Sequence, residues 1–211
     1  MLDIEYKGGN SVVLTTKGKQ LAIDPNQSML GLKPAKYSDV VYVATEARFA
    51  VDDPGDFVQF EGPGEYEIGP FAIRGVPAQR HIDTENDEKK STMYRIEVAD
   101  IRIAVLGNVD KTVSENQLES IGVVDILIVP VGGNGYTLDA KDAVTVVRQV
   151  EPKIVIPVHY ADAGLTYEVP QNTVEEFTEA LEATVEREAK LKLKGSSSIP
   201  AGLTVCVLER S

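Results

Sequence analysis

Residues 152–160 read Pro-Lys-Ile-Val-Ile-Pro-Val-His-Tyr and carry the pattern that decides the fold. The apolar, β-branched run predicts a buried strand over Ile154–Val158. His159, one of only two histidines in the chain, follows that strand directly. Sheets of α/β proteins build their sites at the carboxyl ends of strands, so this position indicates a functional histidine. A buried histidine with an ordinary hydrogen-bond partner is the alternative interpretation.

Helices alternate with strands on both sides of this segment. Ser114, with Gln117 three residues later, has the pattern of a helix N-terminus and predicts a helix that ends at Ile121. Helical spacing of apolar residues predicts a second helix over Ala140–Val150 and a long third helix from Val174 to about Lys194. Two further apolar runs predict buried strands, Ile126–Val131 and Leu203–Leu208.

The first half of the chain is rich in short strands joined by glycine-containing turns. The predicted strands are Leu2–Tyr6, Ser11–Thr15, Gln20–Ile23, Asp39–Ala44, Glu65–Ile68, Phe71–Pro77, Met93–Val98 and Ile101–Leu106. A charged stretch over residues 81–90 predicts an exposed loop, with acidic residues at Asp83, Glu85, Asp87 and Glu88. Hairpins followed by β-α-β units predict two mixed sheets covered by helices, in one domain that spans residues 1–211.

The amino-acid composition indicates which kinds of binding partner are unfavourable for this protein. The 211 residues are 43% hydrophobic and 26% charged, which is typical of a globular protein. The net charge of −12 disfavours nucleic acid and anionic membrane surfaces as partners, because both are polyanions.

Cysteine usage and the N-terminus bear on the compartment. Cys206 is the one cysteine, so neither an intramolecular disulfide nor a cysteine zinc site is expected. The first residues do not have the pattern of a secretory signal, and no apolar run approaches the roughly 20 residues that span a bilayer. We expect a cytoplasmic protein.

Several segments, taken in order, resemble the metallo-β-lactamase fold, in its small branch similar to ascorbate-6-phosphate lactonase and to other Zn-dependent hydrolases. The matching segments are Asp24-Pro25, Pro63–Val76, Asp125–Gly133, Tyr136-Thr137 and Pro152–Tyr160. The resemblance covers nearly the whole chain. It implies a four-layer αββα sandwich of the α/β (α+β) class, with two mixed β-sheets and helices on the outer faces.

The resemblance also implies a dinuclear metal site, whose main ligand pattern is His-x-His-x-Asp-His. Glu46 and Arg48 stand at the first two histidine positions of that pattern, and Ala50 and Val51 stand at the Asp and last His. A Gly-His pair near the N-terminus is Gly8-Gly9 here, and the bridging aspartate is Asn108. The remaining two ligand positions are His81, displaced by one residue, and His159.

This set of residues leaves two interpretations of the metal site. Zinc requires about three or four N, O or S donors, and the permanently charged Arg48 is not a donor to metal. We therefore expect no metal cofactor and an Arg-centred polar cluster in which Arg48 pairs with Glu46, Asp52 or Asp53. The alternative is a single zinc or other divalent metal held by Glu46, His81 and His159.

Three functions follow from these interpretations. The favoured one is a hydrolase-like protein that has lost the dinuclear site, is non-catalytic, and binds a small molecule or a protein. The second is a metal-dependent hydrolase of the lactonase or phosphoesterase type, with a rebuilt site on Glu46, His81 and His159. The third is a structural role as a subunit of a homo-oligomer. The remnant site in all three comprises Glu46, Arg48, His81, Asn108 and His159.

Overall fold

A computed structural model of the chain describes residues 1–33, 35, 37–81 and 90–211. The acidic loop predicted from the sequence falls mainly on residues 82–89 and so lies outside the described residues. Within the described ranges, every helix is too short or too polar to cross a membrane.

Six strands form the first sheet. In spatial order they are β13 (Leu191–Leu193), β1 (Leu2–Gly8), β2 (Ser11–Thr16), β3 (Lys19–Ile23), β4 (Val40–Val43) and β5 (Val58–Phe60). The pairs from β13 to β3 are antiparallel, and the pairs from β3 to β5 are parallel. The sheet is therefore mixed.

Eight strands form the second sheet. In spatial order they are β12 (Thr184–Glu188), β14 (Thr204–Leu208), β11 (Ile154–Val158), β10 (Ile126–Pro130), β9 (Ile101–Val105), β8 (Lys90–Val98), β7 (Phe71–Gln79) and β6 (Gly64–Ile68). The pairs from β12 to β9 are parallel, and those from β9 to β6 are antiparallel. Three α-helices accompany this sheet, α1 (Glu115–Ile121), α2 (Ala140–Val150) and α3 (Val174–Leu181).

Alternation along the strands gives the eight-stranded sheet two apolar faces. One face packs on the six-stranded sheet and forms the central core, where Ile103, Ile128 and Ile156 meet Ile4 and Leu14. On the opposite face, the neighbouring residues of the same strands pack against α1, α2 and α3. The predicted fold, two mixed β-sheets with helices in a metallo-β-lactamase-like sandwich, is confirmed.

The outer face of the six-stranded sheet is covered differently. Its buried apolar residues, Val13, Ala22, Val40 and Tyr42, pack with the partly buried side chains of Tyr37 and Val51. All three α-helices of the described ranges pack on the eight-stranded sheet.

Local signals located the first two helices well. Ser114 and Gln117 form the predicted capping box, in which each side chain bonds the other residue's backbone N–H. Helix α2 has the predicted bounds, and Asp139 caps it by accepting a bond from the Asp142 N–H.

The prediction of a long third helix is wrong beyond Leu181. Helix α3 ends there, and Glu182 adopts a left-handed conformation with φ of 55°. The chain then forms β12 and β13, in which Val185 pairs with Val205 of β14 and Leu193 pairs with Leu2 of β1. Pairing with two distant strands overrides a local spacing of apolar residues that suits either structure. Strand β5 was also absent from the sequence-based expectations.

Candidate functional site

The polar residues of interest lie where strands end, on one edge of the two sheets. Glu46 follows β4, Asn108 follows β9 and His159 follows β11. Arg80 follows β7, and Asn10 lies in the turn between β1 and β2. Strand ends and turns place these residues side by side, although they are far apart in sequence.

Glu46 is the centre of the cluster. It is only 5% exposed, and its Oε2 lies 2.8 Å from Arg48 Nε and 3.1 Å from Arg80 Nε. Its Oε1 accepts a bond from Asn108 Nδ2 at 3.1 Å. Burial raises the pKa of the Glu46 carboxyl, and the two guanidinium groups oppose that shift. The carboxylate is thus contacted by donors on both oxygens.

Arg48 forms an ion pair with an acidic residue, as predicted from the sequence, and that residue is Glu46. Its guanidinium also contacts two rings, with Cζ 4.7 Å from the centroid of Phe49 and 5.0 Å from that of Tyr136. A second acid contributes at longer range, since Glu168 Oε2 lies 3.7 Å from Arg48 Nη1. The ion pairs that the structure shows for Arg48 are these two, rather than pairs with Asp52 or Asp53.

His159 lies deeper than Arg48. It is 3% exposed, and its ring stacks on Tyr136 with centroids 5.1 Å apart and contacts Tyr167 with centroids 5.0 Å apart. Its Nδ1 lies 3.1 Å from Gln171 Oε1. Burial lowers the pKa of the imidazole to about 4, so the ring is neutral at pH 7.

The backbone of His159 is also constrained. Its φ of 51° lies in the left-handed region, which is unusual for a residue with a side chain. Its N–H donates to the Gly9 carbonyl at 2.7 Å. Gly132 approaches so closely that a Cβ there would collide with the His159 carbonyl oxygen. The glycine is therefore required to seat the histidine.

His81 joins the cluster through its backbone, because its N–H donates to the Asn108 carbonyl at 2.8 Å. Its Nδ1 is buried and has no hydrogen-bond partner among the residues described. The structure thus brings Glu46, Arg48 and Asn108 into direct contact and links the two histidines to them through Asn108 and Tyr136. Their roles in binding remain predictions.

Ala50 and Val51 occupy apolar surroundings. Ala50 packs with Ala44 and Phe49, and Val51 packs against the outer cluster that contains Tyr42. Neither side chain supplies a donor to the polar cluster.

Asp24 supports the loop that carries Glu46. Its carboxylate accepts bonds from the Thr45 N–H and the Thr45 hydroxyl, both at 2.7 Å. Asp24 is buried, and burial raises the pKa of its carboxyl to about 7. Asp24, the first residue of the Asp-Pro pair, directly follows β3.

A small, partly open cavity of about 20 Å³ is lined by both Asp24 and His159. Its polar lining includes Asn10, Asp24, Gln27, His159, Glu168 and Gln171, and its apolar lining includes Met29, Leu30, Phe49, Tyr136 and Tyr167. A larger groove of about 750 Å³ lies on the side of Glu46, Arg48 and Arg80. Arg48 lines the groove and contacts the rings of Phe49 and Tyr136, which line the cavity.

The donor set can be compared with the needs of a metal ion. In the described part of the chain, no three His, Cys, Asp or Glu residues are grouped so that they could hold one. Both oxygens of Glu46 contact cationic or amide donors, and Gln171 engages Nδ1 of His159. These residues do not fit a dinuclear metal site.

Five participants were not identified from the sequence as site residues: Asn10, Arg80, Tyr136, Glu168 and Gln171. Asn10 was interpreted only as part of a turn, and Tyr136 only as part of a matching segment. Arg80 adjoins His81, but an arginine at a strand end is an ordinary surface residue without knowledge of the fold.

Sequence comparison gives a family match over most of the chain. The β-lactamase superfamily domain matches residues 3–159. A metal-dependent hydrolase from Carboxydothermus hydrogenoformans is 54% identical over 102 residues, which cover 46% of this chain and 44% of that protein. A protein from Pyrococcus abyssi is 35% identical over 106 residues, or 50% of this chain and 46% of that protein. The matches span less than half the length of these curated relatives.

Solved structures share the fold over the whole chain. A protein from Thermotoga maritima, described as a Zn-dependent hydrolase of the metallo-β-lactamase superfamily, superposes with a TM-score of 0.76 at 23% identity and covers 99% of this chain and 100% of its own. Igni18, a metallo hydrolase from Ignicoccus hospitalis, has a TM-score of 0.63 at 18% identity and covers 100% and 96%. At these identities the likeness establishes the fold.

Proposed function

The chain belongs to the β-lactamase superfamily, and from that premise we propose that it is a non-catalytic member that has lost the dinuclear metal site and binds a small molecule at the same edge of its sheets. The polar cluster around Glu46 takes the place of the metal ions. The remaining cavity and groove supply the binding surface.

One observation carries this proposal, the contact of two guanidinium groups with a single carboxylate. Arg48 Nε and Arg80 Nε lie 2.8 and 3.1 Å from Glu46 Oε2. Arginine keeps its positive charge at every accessible pH. A divalent cation next to Glu46 would therefore face two fixed positive charges, and it would have to displace charge-assisted contacts that already neutralise the buried carboxylate.

The other ligand positions support the same conclusion. Ala50 and Val51 lack donor atoms, and Asn108 uses its Nδ2 on Glu46 and its Oδ1 as the acceptor for Asn10. Zinc sites in proteins commonly use three or more side-chain donors. The cluster instead directs protein donors to both oxygens of the buried Glu46 carboxylate, which is how a buried carboxylate is stabilised without a metal.

Elemental analysis tests the proposal. The protein is purified without chelator and without added metal, and zinc, iron and manganese are measured per chain. We expect each to be well below one ion per chain, and we expect EDTA to leave the melting temperature unchanged. About two zinc or iron ions per chain, together with a chelator-dependent loss of stability, would contradict it.

A second candidate function is a metal-dependent hydrolase with one rebuilt site. Relatives that bear the description metal-dependent hydrolase favour it, as does the buried Nδ1 of His81. Zinc titration by calorimetry separates the candidates. Stoichiometric zinc binding that His81→Ala and His159→Ala both abolish would support the rebuilt site, whereas binding that neither variant changes would not.

A further inference from the structure

The cavity beside His159 is lined by residues whose unpartnered polar atoms are hydrogen-bond acceptors. This indicates that its ligand is a hydrogen-bond donor. Its volume of about 20 Å³ holds one water-sized group, since a single water requires roughly 10–15 Å³ by this kind of measure. The cavity lies next to the Glu46 cluster.

Hydrogen bonds that link Glu46, Asn108 and Asn10 fix the orientation of the Asn10 side-chain amide. The Glu46 carboxylate accepts only, so the side chain of Asn108 must direct its Nδ2 to Glu46, at 3.1 Å. Asn108 Oδ1 is consequently the acceptor toward Asn10, whose Nδ2 donates to it at 3.1 Å. Asn10 Oδ1 is left over, and it is buried without a hydrogen-bond partner in the described part of the structure. Asn10 is 5% exposed and lines the cavity.

A second series of hydrogen bonds, through Gln171, fixes the tautomer of His159. Gln171 Nε2 donates to the Val169 carbonyl at 2.9 Å, so Gln171 Oε1 is the atom that faces the imidazole. His159 Nδ1, 3.1 Å from that oxygen, must carry the proton. The Nε2 atom of the neutral ring is then an acceptor. His159 also lines the cavity, so each of the two series of hydrogen bonds leaves one acceptor atom on a residue of the cavity lining.

The charged and aromatic residues of the lining also favour a positively charged ligand. The Glu168 carboxylate lines the cavity together with Asp24, which is partly ionised at pH 7.5 because its pKa is about 7. The rings of Phe49, Tyr136 and Tyr167 form much of the apolar wall. Aromatic faces and carboxylates both favour a cation. The charge of nearby Arg48 is opposed by its own partners, Glu46 and Glu168.

We propose that this cavity binds an ammonium group, either the ammonium ion or the head of a small primary amine. Such a group offers only N–H donors, which match the Asn10 and His159 acceptors, and its charge suits the aromatic faces and the acidic residues of the lining. The inference rests on the proposed function, because a metal ion held by His159 would occupy the Nε2 acceptor.

Thermal unfolding of the full chain at pH 7.5 tests the proposal with four salts at equal ionic strength. Ammonium chloride and methylammonium chloride are the probes, and sodium chloride and tetramethylammonium chloride are the controls. A ligand at about five times its Kd should raise the melting temperature of a protein of this size by about 2–4 °C. We expect a saturable rise with a probe and none with the controls. A larger effect of methylammonium than of ammonium would identify an amine head group as the better ligand, and the reverse would identify the free ion.

Two variants establish where the probe binds. Asn10→Leu removes the unpartnered acceptor and should abolish the response. Thr16→Val is the matched control, because it also deletes one side-chain hydrogen bond of a buried residue, the partly buried bond from Thr16 Oγ1 to the Met1 carbonyl at 2.9 Å, near the start of β1. Thr16→Val should keep the full response. If Asn10→Leu fails to fold, ¹⁵N-labelled ammonium and the wild-type protein replace it, and a bound ammonium resonance that methylammonium displaces is the expected result.

The outcomes separate this proposal from the proposed function. An equal response to sodium or tetramethylammonium, a response retained in Asn10→Leu, or no response at all would overturn the ammonium site and indicate that the cavity holds water only. Any of these results in a protein free of metal leaves the proposed function intact. Stoichiometric metal in the native protein would overturn both.

Discussion

Arg48 Nε lies 2.8 Å from Glu46 Oε2, at the two positions where the family pattern carries its first pair of histidines. Glu46 is almost fully buried, and Arg48 is partly exposed above it. A permanent ion pair thus stands where metal ligands are expected. Predictions about the stability and the metal content of the protein follow from this contact.

Replacing Arg48 with alanine should destabilise the protein. The change leaves the buried Glu46 carboxylate with one guanidinium fewer, and we expect a loss of roughly 1–3 kcal/mol in the free energy of unfolding. Urea denaturation at pH 7 measures it. Arg74→Ala is the control, since the Arg74–Glu65 pair is exposed and should contribute about 1 kcal/mol or less. Equal stability of Arg48→Ala and wild type would show that the pair is not important for folding.

Restoring one histidine should not restore metal binding. Arg48→His removes one of the two cations near Glu46, but Arg80 remains and Ala50 and Val51 still lack donor atoms. We expect zinc in the purified variant to stay at the wild-type level, by elemental analysis and by calorimetric titration. One tightly bound zinc per chain in Arg48→His would mean that Arg48 alone excludes the metal.

Asp24 should make stability fall as pH rises. Its folded pKa of about 7 exceeds the ordinary value of 3.8, so between these values the folded protein keeps a proton that the unfolded chain has released. The contribution of this group is therefore greatest below about pH 4 and is lost as pH rises through 7. Asp24→Asn removes the contribution of this carboxyl to the pH dependence of the free energy of unfolding. Relative to wild type, the variant should gain on the order of 2 kcal/mol between pH 5 and pH 8.

Urea denaturation at several pH values measures this difference. Asp56→Asn, at an exposed position, controls for the change in net charge. A stability difference between Asp24→Asn and wild type that does not change with pH would mean that Asp24 is ionised throughout the range.

His159 should be a neutral imidazole with the proton on Nδ1. Burial lowers its pKa to about 4, below the ordinary 6.5, and Gln171 Oε1 accepts the Nδ1 proton. Long-range ¹H–¹⁵N NMR spectra of His81→Gln, which leaves one imidazole, should show an unprotonated Nε2 and no titration between about pH 5.5 and 8. Stability due to His159 should fall as pH drops from about 6.5 toward 4, because the unfolded chain takes up the proton first. A proton on Nε2 at pH 7 would contradict the assignment.

Much of the fold could be predicted because its signals are local. The apolar runs at Ile126–Pro130 and Ile154–Val158 specify strands by their own composition, and Ser114 with Gln117 specifies a helix start within one turn. Segment 182–193 shows the limit of such signals. Its sparse apolar residues fit a helix or a strand, and only pairing with β14 and β1 selects strands.

From the sequence by itself we could predict which residue types stand at the expected ligand positions, because position in a recognisable order of segments suffices for that. The sequence also predicted an acidic partner for Arg48 among Glu46, Asp52 and Asp53, and the structure selects Glu46. Only the tertiary structure decided that Arg80 shares the same carboxylate, that Asn108 connects it to Asn10, and that Gln171 sets the tautomer of His159. These contacts join residues 12 to 98 positions apart. They depend on sheet order and on the direction in which each strand end points, which no local pattern encodes.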